Sequence, residues 1–539
     1  MNALVVVLIS IVIFFIAYVT YGGWLAKQWG VDDGRKTPAH TKGDGVDYVP
    51  AKSPVLLGHH FASIAGAGPI VGPITAAMFG WVPVLLWIII GSIFFGGVQD
   101  FGSLLASIRH NGKSIGEVIE INMGKKGKKL FAIFAWLTLL LVVAAFANIV
   151  ANTFVSVPEA ATASVLFILL AIVFGFAVYR KGVSLGVGSV VGVILLFVCI
   201  ALGNMFPIEL SRNTWIAILL GYIFIASVTP VWILLQPRDY LNSYLLYIMM
   251  AGAVVGLIIT RPTLELAPVT GFSVGGQWMF PMLFVTVACG AISGFHSLVG
   301  SGTSAKQLDK ESDAKIVGYG GMLIEGVLAV IAIITAAYIG QDKLAALLSN
   351  GGPVNVFSDG IGTFMTSFGI SFTVGKSFVA LAVSAFALTS LDTGTRLGRF
   401  ILQEFFYEEG ATSQHPLTNM YTATALTVVV GGLLAITSWA KIWPVFGSAN
   451  QLLAALALMA VAVWLKKIGR NYKMFIIPMI FMFAVTLLAL IMLIKTNLGP
   501  EGSLILVIFP VLLFILAIIL AYQGYHIMKK TDAGKTTKI

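Results

Sequence analysis

The feature that most restricts this chain is a succession of apolar runs, each about as long as a bilayer is thick. Residues 4–19 and 504–522 are apolar almost all the way round. A helix needs about 20 such residues to cross a hydrocarbon core of about 30 Å. A membrane β-barrel would alternate apolar and polar residues with period two, and these runs do not. Cutting the sequence at its polar breaks gives fifteen spans: 3–21, 54–79, 81–108, 130–154, 161–179, 185–205, 214–236, 240–260, 278–298, 314–339, 372–391, 417–438, 443–464, 474–494 and 503–528. With 58% hydrophobic and 10% charged residues, the chain lacks the polar surface that water-exposed domains need. The expected fold class is an all-α polytopic membrane protein of about fifteen transmembrane helices. Run 3–21 has no basic flank before it and no small-residue cleavage site, so it reads as a retained span. Cys199 and Cys289 each lie inside an apolar run and read as packing residues.

Basic residues orient the spans. Segment 353–371 is apolar but interrupted by Ser358, Asp359, Gly360, Gly362 and Ser367, and is read as a re-entrant or surface hairpin. With an outer N-terminus, 26 of the 33 Lys and Arg residues then fall on the inner side. Five fall outside (Arg212, Arg261, Lys343, Lys441 and Lys495), and Lys315 and Lys376 lie in span ends. That bias places the N-terminus outside and the C-terminus in the cytoplasm. The net charge of +10 follows from topology and contact with anionic lipid, so no nucleic-acid partner is needed.

Sliding the sequence against itself by 228 aligns residues 64–77 (IAGAGPIVGPITAA) with 292–305 (ISGFHSLVGSGTSA), identical at six of fourteen positions. The copies sit in the second and ninth spans, so they run through the membrane in opposite directions. Inverted repeats with Gly- or Pro-interrupted helices at matching positions point to a secondary transporter with its site between the repeats. Backbone freed by Gly66, Gly68, Pro69, Gly72 and Pro73 has to be satisfied by neighbours, water, ions or substrate. The candidate substrate-binding residues are therefore Ala65, Gly66, Gly68 and Gly72 in the first copy. Ser293, Gly294, Phe295, His296 and Ser297 are their counterparts in the second.

Ionisable groups at bilayer depth usually mark ion or substrate routes. His59 and His60 precede the first break, Asp100 follows Gly96 and Gly97, and Glu325, the candidate proton carrier, lies within the tenth span. Thr389 and Ser390 offer adjacent hydroxyls to a small cation such as Na⁺, and equally to the preceding helical turn. Ser384 and Asp392 complete the coupling-ion candidates, and Asp392 and Arg396 are spaced to pair across one turn. His59, His60 and Asp100 are candidate metal ligands, although the two histidines point about 100° apart on a helix. Zn²⁺ would need three or four such groups, so no cofactor is required and the coupling ion is H⁺ or Na⁺. There is no Walker motif and no nucleophile with an assignable base, so the chain does not read as an enzyme.

Six motifs in order resemble those of the carbon starvation protein A (CstA) family across residues 1–465. They are PAKSPVLLGHHFASIAGAGPIVGP (50–73), FGGVQDFGSLLASIRHNGKSIGE (95–117), VWILLQPRDYLN (231–242), CGAISGFHSLVGSGTSAKQL (289–308), ALTSLDTGTRLGRF (387–400) and IWPVFGSANQLLAALAL (442–458). The resemblance implies a bacterial inner-membrane uptake transporter, associated with peptide import or, in some members, with proton-coupled pyruvate uptake. It also implies a LeuT-like core of five helices plus five inverted ones. On that basis the chain divides into residues 1–53, a first repeat half at 54–213, a peripheral pair and outer loop at 214–277, a second half at 278–464, and peripheral helices with a basic tail at 465–539. Peptides and pyruvate share a carboxylate, which the broken helices with Gln236, Arg238, Asn450 and Gln451 could hold. Arg238 reads equally as an inner-loop charge. A membrane-embedded nutrient sensor without flux is the rival from another class. A channel is disfavoured because no ring of like charges forms a filter.

Overall fold

The computed structural model describes residues 1–44, 48–230, 233–407, 415–499 and 502–532. It is built from helices that we number in chain order. The first part holds α1 (Ala3–Trp29), α2 (Ser53–Ala65), α3 (Gly68–Ala76), α4 (Trp81–Arg109), α5 (Ile115–Met123) and α6 (Lys125–Ser156). Then come α7 (Pro158–Lys181), α8 (Leu185–Met205), α9 (Arg212–Val228) and α10 (Leu235–Thr260). The second part holds α11 (Met279–Thr286), α12 (Gly294–Gly302), α13 (Lys315–Ala337), α14 (Gln341–Ser349), α15 (Gly352–Thr366) and α16 (Phe372–Phe406). It closes with α17 (Met420–Ala435), α18 (Trp439–Lys467), α19 (Lys473–Asn497) and α20 (Ile505–Asp532). A short antiparallel pairing of Ser273–Val274 with Gln277–Trp278 lies ahead of α11.

Among the described residues, eleven helices are long and apolar enough to cross a bilayer, or twelve if α2 and α3 count as one span. The chain is thus a multi-pass helical membrane protein. Each of the fifteen expected segments is helical, but four are not single long helices. Segments 54–79 and 278–298 are broken. Segment 214–236 shortens to the 17 residues of α9, because Thr229 precedes Pro230 and cannot easily stay helical. Segment 417–438 shortens to the 16 residues of α17, between its Asn419 cap and the start of α18. The expected hairpin at 353–371 is instead a single short helix, α15, ending in a turn at 367–369; it follows α14. The 15 residues of α15 are about 22 Å long, short of a bilayer core, and pack against α3, α10, α13 and α16.

Helices apolar on every face are stable here either in the interior or against lipid, and both cases occur. The apolar window of α18 is entirely enclosed, and those of α13 and α16 nearly so, whereas α1, α8, α19 and α20 keep most of their surface outward. α6 runs along α16, and α7 pairs with α8 on the outside of this core. α4 and α13 each contain one wide π-helical turn, at Ser92–Gly96 and Lys315–Gly320. Such turns shift the register of the residues that follow. Those residues include Asp100 and Glu325.

Candidate functional site

Two broken helices cross at the centre. α2 and α3 are bent by 45° at Gly66 and Ala67, and α11 and α12 are separated by residues 287–293. α2 packs on α12 and α3 on α11, so the pairs run in opposite directions with their breaks at one level. The matched sequence copies fall on each break and the helix after it. Gly66 has φ +41, a conformation that excludes most side chains, and a Cβ there would lie 2.4 Å from Ser390 Oγ.

Breaking a helix inside a membrane frees backbone groups that need partners, and at the second break α18 supplies them. Asn450 Oδ1 accepts from the Phe295 amide (2.9 Å), and Asn450 Nδ2 donates to Ser293 Oγ (3.0 Å). Gln451 Nε2 donates to the carbonyls of Phe284 (2.6 Å) and Val287 (3.2 Å). Trp443 Nε1 donates to the Thr286 carbonyl (3.1 Å), and Trp87 Nε1 on α4 to that of Val287 (3.3 Å). Asn450 and Gln451, both candidates for substrate, thus hold the break itself. Ser297 Oγ donates to the Gly294 carbonyl (2.6 Å), and Phe295 is buried.

Beside this break lies an ionisable cluster. His296 Nδ1 on α12 is 2.8 Å from Asp100 Oδ2 on α4, and His296 Nε2 faces Glu325 Oε2 on α13 at 3.3 Å. All three side chains are buried, and Asp100 Oδ1 and both Glu325 oxygens have no hydrogen-bond partner. The one imidazole, when protonated, balances one carboxylate. The second is uncompensated unless it carries a proton. His60 lies nearby on α2, its Nδ1 2.7 Å from Ser304 Oγ. His59 is half-buried and faces elsewhere.

A second polar network ties α9, α10 and α16. Arg238 Nη1 is hydrogen-bonded to Asp392 Oδ2 and, at 2.6 Å, to the Tyr222 hydroxyl, which itself donates to Asp392 (2.9 Å). Arg238 Nη2 reaches Asp239 Oδ1 (3.0 Å) and Thr389 Oγ1 (3.2 Å). The expected pairing of Asp392 with Arg396 does not occur, because Arg396 Nη2 donates instead to the carbonyls of Ala226 (2.8 Å) and Thr229 (2.7 Å). Arg238 is no loop charge: it sits on the first turn of α10 and is fully enclosed. Ser384 stands apart from both networks, bonded to the Leu381 carbonyl and 3.2 Å from Ser164 Oγ on α7. The side chain of Gln236 lies outside the described residues.

The expected metal trio is not assembled. His60 is engaged by Ser304 and Asp100 by His296, and no group of three or more His, Cys, Asp or Glu side chains that could hold a metal ion occurs among the described residues.

A vestibule of about 1570 Å³ opens toward the ends of the helices that carry the basic loops. Its inner wall includes His59 and Ser63 on α2, Leu298 and Val299 on α12, and Asp239 on α10. Ser63 is three positions from Gly66 and Leu298 four from Gly294, so the vestibule stops about 4.5–6 Å short of the breaks. Its lining as a whole carries Lys125, Lys128, Lys129, Lys306 and Arg396 against Glu120, Asp239 and Glu404. Lys128 hydrogen-bonds Glu120 at 2.6 Å, which holds that carboxyl below the usual range. The surplus of basic groups favours an anionic solute.

The sequence matches the family described as carbon starvation protein CstA over residues 2–350 and 340–489. Peptide transporter CstA of Escherichia coli (strain K12) is 34% identical, over 87% of this chain and 78% of that protein. Peptide transporter CstA of Bacillus subtilis (strain 168) is 32% identical over 98% and 96%. Pyruvate/proton symporter BtsT of Escherichia coli (strain K12) is 32% identical over 93% and 83%. Among solved structures, a manganese transporter of Eremococcus coleocola shares the fold with a TM-score of 0.54 at 14% identity, over 91% of this chain and 99% of that one. On this match of sequence along nearly its whole length, the chain belongs to the CstA family.

Proposed function

We propose that this protein is a secondary transporter of the bacterial inner membrane that imports small carboxylate-bearing nutrients, peptides in the first instance, coupled to protons. The observation that carries this reading is the Asp100–His296–Glu325 cluster. It places two carboxyls and one imidazole against the helix break where substrate would bind, with oxygens left unpaired. A proton arriving there changes the charge at the hinge between α12, α4 and α13, and only a ligand that distinguishes two conformations can drive a switch between them. The vestibule, on the side of the basic loops, corresponds to an inward-open state with the N-terminus outside. The names of the CstA relatives support peptides as substrate. Pyruvate is the second reading, favoured by the BtsT relative.

The packing also supports a core of two inverted five-helix sets. In this assignment α2–α3, α4, α6, α9 and α10 correspond to α11–α12, α13, α16, α17 and α18. Contacts recur under that exchange: α6 with α17 matches α16 with α9, and α10 with α2 matches α18 with α11. The peripheral pair is then α7–α8 in place of 214–260.

The test is uptake into liposomes holding the purified protein, with labelled dipeptide or labelled pyruvate and an imposed proton gradient. Gradient-driven accumulation of either, unchanged when Na⁺ is omitted, is the expected result. Saturable binding without flux would replace the transporter by a sensor.

A further inference from the structure

By residue types alone, the hydroxyl pair Thr389–Ser390 on α16 offers a seat for a small cation. In the folded protein one half of that seat is already filled. Arg238, on the first turn of α10 just after Pro237, has 0% exposure. Its guanidinium lies between Asp239 Oδ1 (3.0 Å), Thr389 Oγ1 (3.2 Å), the Tyr222 hydroxyl (2.6 Å) and Asp392 Oδ2. Thr389 Oγ1 is further committed: it receives Asn242 Nδ2 at 3.0 Å and donates to Asp239 at 3.0 Å. Ser390 Oγ has no partner and stands against Gly66 at the first break. The two hydroxyls therefore do not converge on one ion.

We propose that the Arg238 guanidinium is a tethered cation, taking in this site the place a mobile Na⁺ would occupy and joining α10 to α16 without one. The proposal rests on the transporter reading and deepens it by assigning the electrostatic tie between two helices that line the vestibule.

Three physical points carry it. The partners are oxygens only, two carboxylates and two hydroxyls, which is the ligand chemistry of a hard cation. A guanidinium keeps its charge at any working pH, so the positive charge cannot leave as Na⁺ would. Arg396 is one turn beyond Asp392 on α16, and the two arginines balance Asp239 and Asp392. A further cation beside the fully enclosed Arg238 guanidinium would leave uncompensated positive charge. The partners on α9 and α16 also compensate the charged Arg238–Asp239 pair beside a proline at the start of an otherwise apolar helix.

The test uses purified full-length wild type, Arg238→Ala and Arg238→Lys, without substrate, so absence of flux, the failure of the transporter reading, would not affect it. Thermal unfolding is compared in choline, Na⁺ and low-millimolar guanidinium chloride. The wild type and Arg238→Lys are expected to unfold at the same temperature in Na⁺ and choline. Arg238→Ala opens a pocket of the same oxygens. It is expected to unfold several degrees lower in choline and to recover by a few degrees with guanidinium or Na⁺, as for any ligand binding only the folded state. A folded Arg238→Ala that ignores both cations would overturn the proposal. So, independently of any variant, would saturable binding of radiolabelled Na⁺ to the wild type.

Discussion

His296 holds Asp100 at 2.8 Å through Nδ1 and turns Nε2 toward Glu325, so α4, α12 and α13 meet at a single imidazole. Because α12 begins at the second helix break, a change of charge on any of the three groups acts directly on a half-helix that has to move if access alternates.

Removing the imidazole leaves two buried carboxyls facing each other with no cation. His296→Ala is therefore expected to cost about 3–5 kcal/mol, the range for deleting one member of a buried charged set. The double change His296→Ala with Asp100→Asn should cost less than the sum of the single changes, because the two residues are in contact. Unfolding midpoints of the four proteins in detergent check this; strict additivity would mean the pair is not coupled.

At the second break the limit is steric. A Cβ on Gly294 would come within 2.4 Å of the Asn450 carbonyl oxygen and 2.5 Å of the Ala454 amide nitrogen. Both are backbone atoms of α18 and cannot rotate away. Gly294→Ala should lower stability by about 1–3 kcal/mol through overpacking and reduce uptake by more than its loss of folded protein explains. Uptake per folded molecule equal to wild type would show that α12 and α18 need not approach this closely during transport.

Near the ends of the helices, Glu311 accepts from the Arg109 side chain and, at 2.6 Å, from the Asp32 amide, pinning the segment after α1 to the α12–α13 connection. Glu311 is buried. Glu311→Gln leaves Arg109 without its charge partner, and faster hydrogen exchange at the Asp32 amide is expected, together with a lower unfolding midpoint. Exchange at the wild-type rate would mean that neighbours such as the Asp33–Ser312 contacts hold the segment alone.

The vestibule gives a direct check on orientation. Cys199 and Cys289 are both buried, so a cysteine introduced at Thr303 or Thr393 is the reactive thiol. A membrane-impermeant maleimide should label Thr303→Cys and Thr393→Cys in inside-out vesicles and leave right-side-out vesicles unlabelled. Labelling from the outer face would reverse the orientation drawn from the basic residues.

What the sequence discloses and what it hides divide along a physical line. The breaks at Gly66 and Gly294 were legible because glycine and proline act on their own backbone, and runs of apolar residues declare helices without reference to neighbours. The roles of Asn450 and Gln451 were not, since an amide reads alike whether it meets a substrate or the carbonyl of Phe284. Asp392 shows the same limit. Its spacing to Arg396 obeys the one-turn rule, yet Arg238, over 150 positions earlier in the chain, captures it. A buried charge takes the nearest compensating group in space, and no local rule supplies that distance. The Arg238–Asp239 pair after Pro237 was the available signal, a double charge where an apolar helix begins.

The central claim is that substrate and proton move together through the Asp100–His296–Glu325 cluster. The most direct measurement is proton entry into reconstituted liposomes, read with a trapped pH dye on adding substrate outside, for wild type and Glu325→Gln. Substrate should acidify the lumen with the wild type. With Glu325→Gln the rate of that signal should fall at least about tenfold, about 1.4 kcal/mol in activation free energy, while exchange of labelled for unlabelled substrate continues. Acidification by Glu325→Gln at the wild-type rate would contradict the assignment and place the coupling proton elsewhere.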